Sequence, residues 1–179
     1  MHLADRGKEQ EKGIDLVLME KKVEGAGMRR KDRELTKEEA MEILSNGEFG
    51  VLSTVSEDGQ PYGVPVSYAY KDGFVYVHCS CEGGLKIDNL RCNSRASFTV
   101  VGSTELQPES FGTRYASAIA FGTVEILESR EDKREGIEAI MYRYSSEFEE
   151  AGIKYINAAI DKIYILKFRV NEITGKSKR

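Results

Sequence analysis

Apolar and polar residues alternate with a period of two over much of this sequence, a pattern typical of β-strands that bury one face. Short segments rich in glycine, aspartate and asparagine separate the alternating runs. Several strands joined by short turns predict a mostly β protein, an antiparallel barrel with flanking helices at its ends. The predicted strands are residues 49–56, 62–70, 74–80, 96–106, 114–127 and 162–170.

A short helix is predicted ahead of the first strand. Thr36 and Glu39 are the residue pair of a capping box, in which each side chain bonds the backbone N–H of the other residue. Asn46 and Gly47 predict that this helix ends in a left-handed cap.

A longer helix is predicted over residues 129–150, with Gly152 at its end. Its apolar residues recur at helical spacing, so this stripe is expected to face the core. The segment 107–113 is predicted to be a loop, and the basic tail 176–179 is predicted to be solvated. The stripe consists of Ile137, Ile140, Met141, Tyr144 and Phe148.

The strongest local signal lies between residues 62 and 80. Asp72-Gly73 between two strand-like runs predicts a β-hairpin. Pro65 lies inside the first run, and because proline cannot donate to a ladder, this run belongs at a sheet edge or a bulge. Backbone groups near Pro65 are then free to meet a flat heterocycle that has donors and acceptors along one edge.

A glycine pair after this hairpin indicates an anion site. Gly83-Gly84 precedes a short predicted helix that carries Lys86, so backbone N–H groups, the positive end of the helix dipole and one ammonium group converge. With the free strand edge, this suggests a phosphorylated ring cofactor. An ordinary edge strand followed by a solvated loop is the alternative, and the residues alone leave both open.

The two faces of the strand predicted at 114–127 differ in side-chain size. A face of small residues admits a flat ring or another subunit, or it packs beneath a bulky neighbouring strand, and the sequence leaves these possibilities open. The small face consists of Ala116, Ala118, Ala120 and Gly122, and the other face of Tyr115, Ser117, Ile119 and Phe121.

Composition and charge narrow the functional classes. A chain of 179 residues predicts one domain, and a net charge of −4 argues against nucleic acid as a partner. No apolar run approaches the roughly 18 residues that cross a membrane, and no signal-peptide core is present. Three clustered cysteines do not form a disulfide framework, which favours the cytoplasm. Residues 1–27 are expected to be a poorly ordered extension of a domain at 28–179.

Three segments, PYGVPVSYAY, YVHCSCEGGLK and RYASAIAFGTVEI, resemble the FMN-binding split barrels of the pyridoxamine 5'-phosphate oxidase-like superfamily. The opening MRRKDREL and the closing ITGK fit its nitroimidazole-resistance branch. The resemblance covers roughly residues 28–176. It implies an antiparallel split β-barrel with flanking helices that binds FMN at the interface of a homodimer.

The resemblance also implies which residues bind FMN. Backbone groups of 64–68 would meet one edge of the isoalloxazine ring, 77–80 would line its other side, and Lys86 would hold the phosphate. Many relatives have arginine before this lysine, whereas this chain has Leu85, and Arg91 is a candidate to compensate. The implied contacts are Val64, Pro65, Val66, Ser67, Tyr68, Val77, His78, Cys79, Ser80, Lys86 and, from the strand at 114–127, Ser117.

His78 is the candidate catalytic residue. The resemblance places it beside the flavin, and an ordinary pKa of about 6.5 suits proton transfer near neutrality. A structural histidine bonded to a neighbour in the barrel is the alternative. Although Cys79, Cys81 and Cys92 lie nearby in the sequence, their spacing does not match a paired zinc site, so no metal site is predicted.

The implied activity is an oxidoreductase that passes electrons from a reduced nicotinamide to a nitroaromatic or another small electrophile. A reductase that uses the deazaflavin F420 is an alternative. A non-catalytic flavin- or haem-binding module for storage or sensing is another, because the same scaffold hosts all three.

Overall fold

A computed structural model describes residues 28–178, so the extension expected at residues 1–27 lies outside the described residues. Within the described range, eight strands form one antiparallel sheet flanked by helices, which confirms the predicted fold class. The compact unit that carries the sheet begins at Asp32. Between residues 28 and 178, none of the helices combines the length and apolar composition that crossing a membrane requires.

The strand order in the sheet is β3-β2-β6-β7-β8-β5-β4, and β1 pairs with the end of β8. The strands are β1 (Glu34–Leu35), β2 (Gly50–Val55), β3 (Pro61–Val66), β4 (Ala69–Lys71), β5 (Phe74–Ser80), β6 (Arg95–Gln107), β7 (Gly112–Leu127) and β8 (Ile163–Lys178). The helices are α1 (Lys37–Asn46), α2 (Leu85–Cys92), α3 (Arg130–Ser145) and α4 (Glu149–Ala159).

One face of the sheet encloses the main hydrophobic core, as the alternation of the strands predicts. Phe98 and Val100 of β6 are fully buried there, and Leu166 and Phe168 of β8 lie in the same cluster with Tyr164 packed against it. α1 and α2 each add apolar residues to this core. α3 packs on the other face, over β5 and β8.

The capping box at the start of α1 is confirmed, whereas the predicted left-handed cap at its end is wrong. The Thr36 N–H donates to the Glu39 carboxylate (2.9 Å) and the Glu39 N–H donates to Thr36 Oγ1 (3.2 Å). Gly47 has an extended backbone with φ −62°. Position 47 requires glycine because there is no room for a side chain: a Cβ would lie 2.2 Å from Cγ1 of Val100.

The small-residue face of β7 points into the barrel. Ala118 and Ala120 are buried in the main core, and Ala120 pairs with the bulky Phe98 of β6. Of the readings that the sequence left open, packing beneath a bulky neighbouring strand is therefore confirmed. At a register shift in β7, a Cβ on Gly122 would lie 1.7 Å from the Arg169 carbonyl oxygen, so only glycine fits.

The single long helix predicted after Ser129 is wrong. The 3₁₀ turn Ser146–Phe148 separates α3 from α4, and Gly152 lies inside α4 rather than at a helix end. A Cβ on Gly152 would lie 2.8 Å from Cγ of Met141, so this glycine allows the two helices to pack closely. In the predicted stripe, Ile140 and Met141 are buried, Ile137 is partly buried, and Tyr144 and Phe148 are exposed.

The strands β6, β7 and β8 extend beyond their predicted limits. β8 continues to Lys178 and pairs with β7 and β1, so the prediction of a solvated basic tail is wrong up to that residue. A Cβ on Gly175 would lie 2.8 Å from Cβ of Ala40, which lets this end of β8 lie against α1. β6 and β7 also take in residues 107, 112 and 113 of the loop predicted at 107–113. The rest of that loop is the 3₁₀ turn Pro108–Ser110 and Phe111, which has φ 51° and is fully exposed.

Candidate functional site

The candidate site is built around the crossover between β3 and β4, which the sequence predicted as one strand. That prediction is wrong, because the run breaks at Ser67 and Tyr68, so that β3 pairs with β2 while β4 pairs with β5. Asp72 and Gly73 both have positive φ and form the predicted turn of the β4–β5 hairpin. β3 is last in the sheet order, which confirms that Pro65 lies on an edge strand.

β5 has a free edge next to this crossover. The last pair between β4 and β5 is Ala69 with Tyr76. Continuing that register by two residues would bring Ser67 opposite His78, but the chain has turned away there to join β2. The backbone edges of β3 and of the end of β5 therefore lie on the two sides of one opening in the barrel.

The side chains at this opening alternate in direction along β5. Val77 and Cys79 are buried in the main core, whereas His78 and Ser80 are exposed. Tyr68 has no exposed surface, backbone included, so of the two crossover residues only Ser67 is open to solvent. On the β3 side, Pro65 and Ser67 are exposed, and Val64 and Val66 are partly buried against the core.

The predicted glycine loop and helix follow β5 directly. Gly83 and Gly84 have φ values of 95° and 122°, and a Cβ on either would meet no atom within 4 Å, so these glycines serve for conformation. α2 begins at Leu85, with Lys86 half-buried in its first turn. Burial raises the pKa of the Cys79 thiol, and the Lys86 ammonium partly offsets this rise, which places Lys86 near the end of β5.

α2 is fixed to the barrel by a polar contact that the sequence did not predict. The Asn89 amide nitrogen donates to Thr54 Oγ1 of β2 (3.0 Å), and both residues are buried. Ile87 and Leu90 flank Asn89 and enter the main core. The only sequence signal for this contact is a polar residue on the apolar side of a short helix, which does not identify its partner.

Arg91 does not lie beside the glycine loop. It is in the last turn of α2, roughly 7.5 Å further along the helix axis than Lys86. Its guanidinium pairs with Glu128 (3.5 Å) and lies 5.8 Å from the centre of the Tyr164 ring. The structure therefore gives no support to Arg91 as the residue that compensates for Leu85.

The polar side chains at the opening are those of His78, Ser80 and Lys86, together with the exposed Glu82, whose N–H donates to Ser80 Oγ (3.2 Å). Partial burial lowers the pKa of His78 below its ordinary 6.5, so the imidazole is neutral at pH 7. Cys79 is buried, while Cys81 and Cys92 are exposed as free thiols. Within residues 28–178, no three His, Cys, Asp or Glu side chains come together in a way that could hold a metal ion.

Ser117 is not brought to this opening within one chain. It lies on β7, which is separated from β3 by β6 and β2, or roughly 14 Å across three strand spacings. Its side chain lies on the outward face of the sheet, because its neighbour Ala118 faces the core. Exposed apolar residues lie on this outward face as well, among them Val101 (60 % exposed) and Ile119 (37 %).

Three surface cavities lie away from the opening. Those of 380 and 530 Å³ lie between α1 and the β6–β7 pair, and one of 650 Å³ lies between β4 and α3. None of the three is lined by His78, Ser80 or Lys86. These three cavities are therefore separate from the candidate site.

The model of a known protein family, described as pyridoxamine 5'-phosphate oxidase, matches residues 36–177 of the sequence. The chain belongs to the pyridoxamine 5'-phosphate oxidase family. The match includes the crossover, the end of β5, the glycine loop and Ser117, so every predicted site residue lies within the family region.

Solved structures share this fold. A candidate 5-nitroimidazole antibiotic resistance protein from Bacteroides thetaiotaomicron has 25% identity and a TM-score of 0.66, covering 80% of this chain and 86% of its own. An FAD-binding protein from Mesorhizobium loti has 22% identity and a TM-score of 0.59, and the match covers 82% of this chain and 98% of that protein. A flavocytochrome from Azotobacter vinelandii has 17% identity and a TM-score of 0.67, and the match covers 85% of this chain and 72% of that protein. No curated protein sequence matches the chain.

Proposed function

We propose that this protein is a cytoplasmic, homodimeric oxidoreductase that binds FMN and passes electrons to a nitroaromatic or another small electrophile. Membership of the pyridoxamine 5'-phosphate oxidase family supports a flavin site, as do structural neighbours described as FAD-binding or flavocytochrome. The Bacteroides neighbour, at 25% identity, supports the choice of acceptor. The observation that carries the proposal is the opening between β3 and β5 with the glycine loop and Lys86 at its end.

The residues present fit a flavin with a single phosphate. A flat ring with hydrogen-bonding groups along its edge needs backbone donors and acceptors that no strand already uses, and both edges of the opening supply them. The left-handed glycine pair leads into the N-terminus of α2, where backbone N–H groups and Lys86 favour one phosphate. Because one loop and one lysine form this end of the site, FMN fits better than FAD.

When it is bound, the flavin supplies the electron transfer, and the chain supplies position and protons. Lys86 holds the phosphate end, and the backbone of residues 64–67 holds the ring edge, since Tyr68 is buried and its N–H already donates to the Tyr144 hydroxyl. The His78 side chain lies at the opening, and its lowered pKa keeps it neutral at pH 7. A neutral imidazole can donate a hydrogen bond from one ring nitrogen and accept one at the other, so His78 can tune the ring or hold a proton for the acceptor.

A second copy of the chain completes the proposed site. Ser117 cannot reach the opening of its own chain, whereas the outward face that carries it can lie over the opening of a partner subunit. Val101 and Ile119 are exposed on that face, and Leu106 and Phe111 are exposed near the β6–β7 turn, so association that buries them is favoured by the hydrophobic effect. The reason for a dimer is thus the outward face of β6 and β7, and not the small residues of β7.

The test is the visible absorption spectrum of the purified protein, followed by chromatography of what denaturation releases. We expect a flavin spectrum and release of FMN rather than FAD. Colourless protein that also fails to take up FMN in a titration would refute the proposal. A haem spectrum would identify a haem-binding module instead, and a deazaflavin spectrum would identify an F420-dependent reductase.

A further inference from the structure

Tyr144 at the end of α3 makes two hydrogen bonds that fix the crossover between β3 and β4. The Tyr68 N–H, which has left the β3 ladder, donates to Tyr144 Oη (3.1 Å). The Tyr144 hydroxyl in turn donates to the Glu48 carbonyl oxygen (2.6 Å). Glu48 precedes β2 and Tyr68 follows β3, so one hydroxyl joins the two chain segments at the open end of the β2–β3 hairpin.

Arg143, the residue before Tyr144, contacts the end of α1, which lies next to the crossover. Its two terminal nitrogens donate to the carbonyl oxygens of Ser45 (2.6 Å) and Gly47 (2.5 Å) at the end of α1. Gly47 is extended, so α1 lacks a left-handed cap that would satisfy these carbonyls, and the guanidinium takes that role. The guanidinium carbon also lies 4.9 Å from the centre of the Tyr68 ring.

Both hydrogen-bond donors of Tyr68, its N–H and its hydroxyl, therefore have partners. Its hydroxyl donates to the Leu44 carbonyl oxygen, its ring packs edge-on against Phe98 at 4.8 Å, and its N–H is held by Tyr144. A side chain with no exposed surface in such contacts cannot shift without breaking several of them. The backbone of the adjacent Ser67, which is exposed at the opening, is thereby fixed in place.

We propose that Arg143 and Tyr144 are positioning residues of the ring site: they hold the crossover in the shape that presents its backbone to the flavin. This inference rests on the proposed function, because it assigns a role toward the same ring edge. Neither residue needs to touch the flavin or the reacting atoms. Their effect passes through Tyr68 and Ser67, whose geometry they determine.

A purely structural role for α3 predicts a different outcome, and a matched pair of variants separates the two. Tyr144→Phe removes only the hydroxyl that joins Tyr68 to Glu48. Tyr142→Phe is the control, because Tyr142 lies on the same helix as Tyr144 but its hydroxyl donates to the Glu149 carboxylate of α4 (2.5 Å) and not to the crossover. Arg143→Lys keeps the charge but loses the two-pronged contact with the end of α1.

The experiment measures amide hydrogen exchange at Tyr68 in the flavin-free protein, then FMN affinity and the absorption maxima of bound FMN. We expect Tyr144→Phe to speed Tyr68 exchange, to weaken FMN binding roughly threefold to tenfold and to move the maxima. Arg143→Lys should act in the same direction, and Tyr142→Phe should change none of the three.

Faster exchange in Tyr144→Phe with unchanged affinity and spectrum would overturn the inference, because the contact would then serve folding alone. An equal loss of affinity in Tyr142→Phe would also overturn it, as a general effect of weakening α3. Wild-type protein that takes up no FMN would refute the proposed function, and the inference with it. That result is visible in the wild-type titration before any variant is compared.

Discussion

Among single residues, Lys86 carries the strongest prediction for cofactor affinity. Lys86→Ala should weaken FMN binding by roughly tenfold to a hundredfold, because a charge-assisted contact to phosphate is typically worth about 1.5–3 kcal/mol. Fluorescence titration of the flavin-free protein measures this. The melting temperature of the flavin-free protein should change little, because the Lys86 ammonium group forms no ion pair within residues 28–178.

Lys154→Ala is the matched control for this experiment. Lys154 lies on α4, is largely exposed and pairs with Glu150 at 2.6 Å, so its loss removes the same charge away from the opening. FMN affinity should be unchanged in this variant. If Lys86→Ala instead keeps its affinity and lowers the melting temperature, Lys86 is structural and the phosphate binds elsewhere.

His78 leads to a prediction about pH. Burial lowers its pKa below 6.5, so the protonated form becomes populated only as the pH falls below that value. If His78 delivers a proton to the acceptor, flavin re-oxidation should accelerate as the pH is lowered through this range, and His78→Gln should remove that dependence. Stopped-flow re-oxidation between pH 5 and 8 tests this. A profile that is identical in both proteins would exclude proton delivery by His78.

The same shift has a consequence for stability. A histidine whose pKa is lower in the folded chain than in the unfolded chain binds protons more readily when the chain is unfolded. Its contribution to the free energy of unfolding is therefore complete above the unfolded pKa of about 6.5. That contribution is lost as the pH falls through the folded pKa. His78→Gln should therefore be less sensitive to acid than the wild type in this range. Because the side chain is exposed, we expect the difference to be small.

At the scale of helices and strands, the sequence predicted the type of each element more reliably than which strands pair with each other. Alternation identified β2, β5, β6 and β7, and the Asp72-Gly73 turn was correct. The break between β3 and β4 was missed, because residues 62–70 keep their alternation while the partner strand changes. Local periodicity reports which face is buried and does not report which strand lies alongside.

The site was predictable to a similar extent. Gly83, Gly84 and Lys86 follow from local sequence rules, since left-handed glycines and a helix start are short-range features. The contact of Asn89 with Thr54 joins residues 35 positions apart, and that of Tyr144 with Tyr68 joins residues 76 apart. No rule of spacing identifies such pairs, which depend on how α2 and α3 pack on the sheet.

The attachment of α2 is testable through the Asn89–Thr54 contact. Asn89→Leu and Thr54→Val should each lower the free energy of unfolding by about 1–3 kcal/mol, because each leaves a buried polar group without its partner. The double variant should cost less than the sum of the single variants. Urea unfolding at a fixed pH measures all four proteins. Strict additivity would show that the hydrogen bond does not couple α2 to β2.

For the whole molecule, the prediction concerns the outward face of the sheet. Light scattering should give a mass of twice the 20.1 kDa chain, and Ile119→Lys should shift it toward the monomer by placing a charge in an apolar interface. The monomer should also bind FMN more weakly, since it loses the partner's Ser117. Tyr155→Lys is the control, because Tyr155 is 75 % exposed on α4, outside the proposed interface. A wild-type monomer with tightly bound FMN would refute the interface site.

The pairing of β1 with the end of β8 places the two limits of the compact unit side by side. Glu34 lies opposite Lys176, and paired residues of antiparallel strands are only about 5 Å apart. A short linker could therefore join residue 178 to residue 32, and the chain could be opened at the exposed Gly59 turn between β2 and β3 instead. Such a circular permutant would retain every strand while separating β2 from β3 in sequence. If this permutant folds and gives the same circular dichroism spectrum, the order in which the strands are synthesised is not a requirement of this barrel.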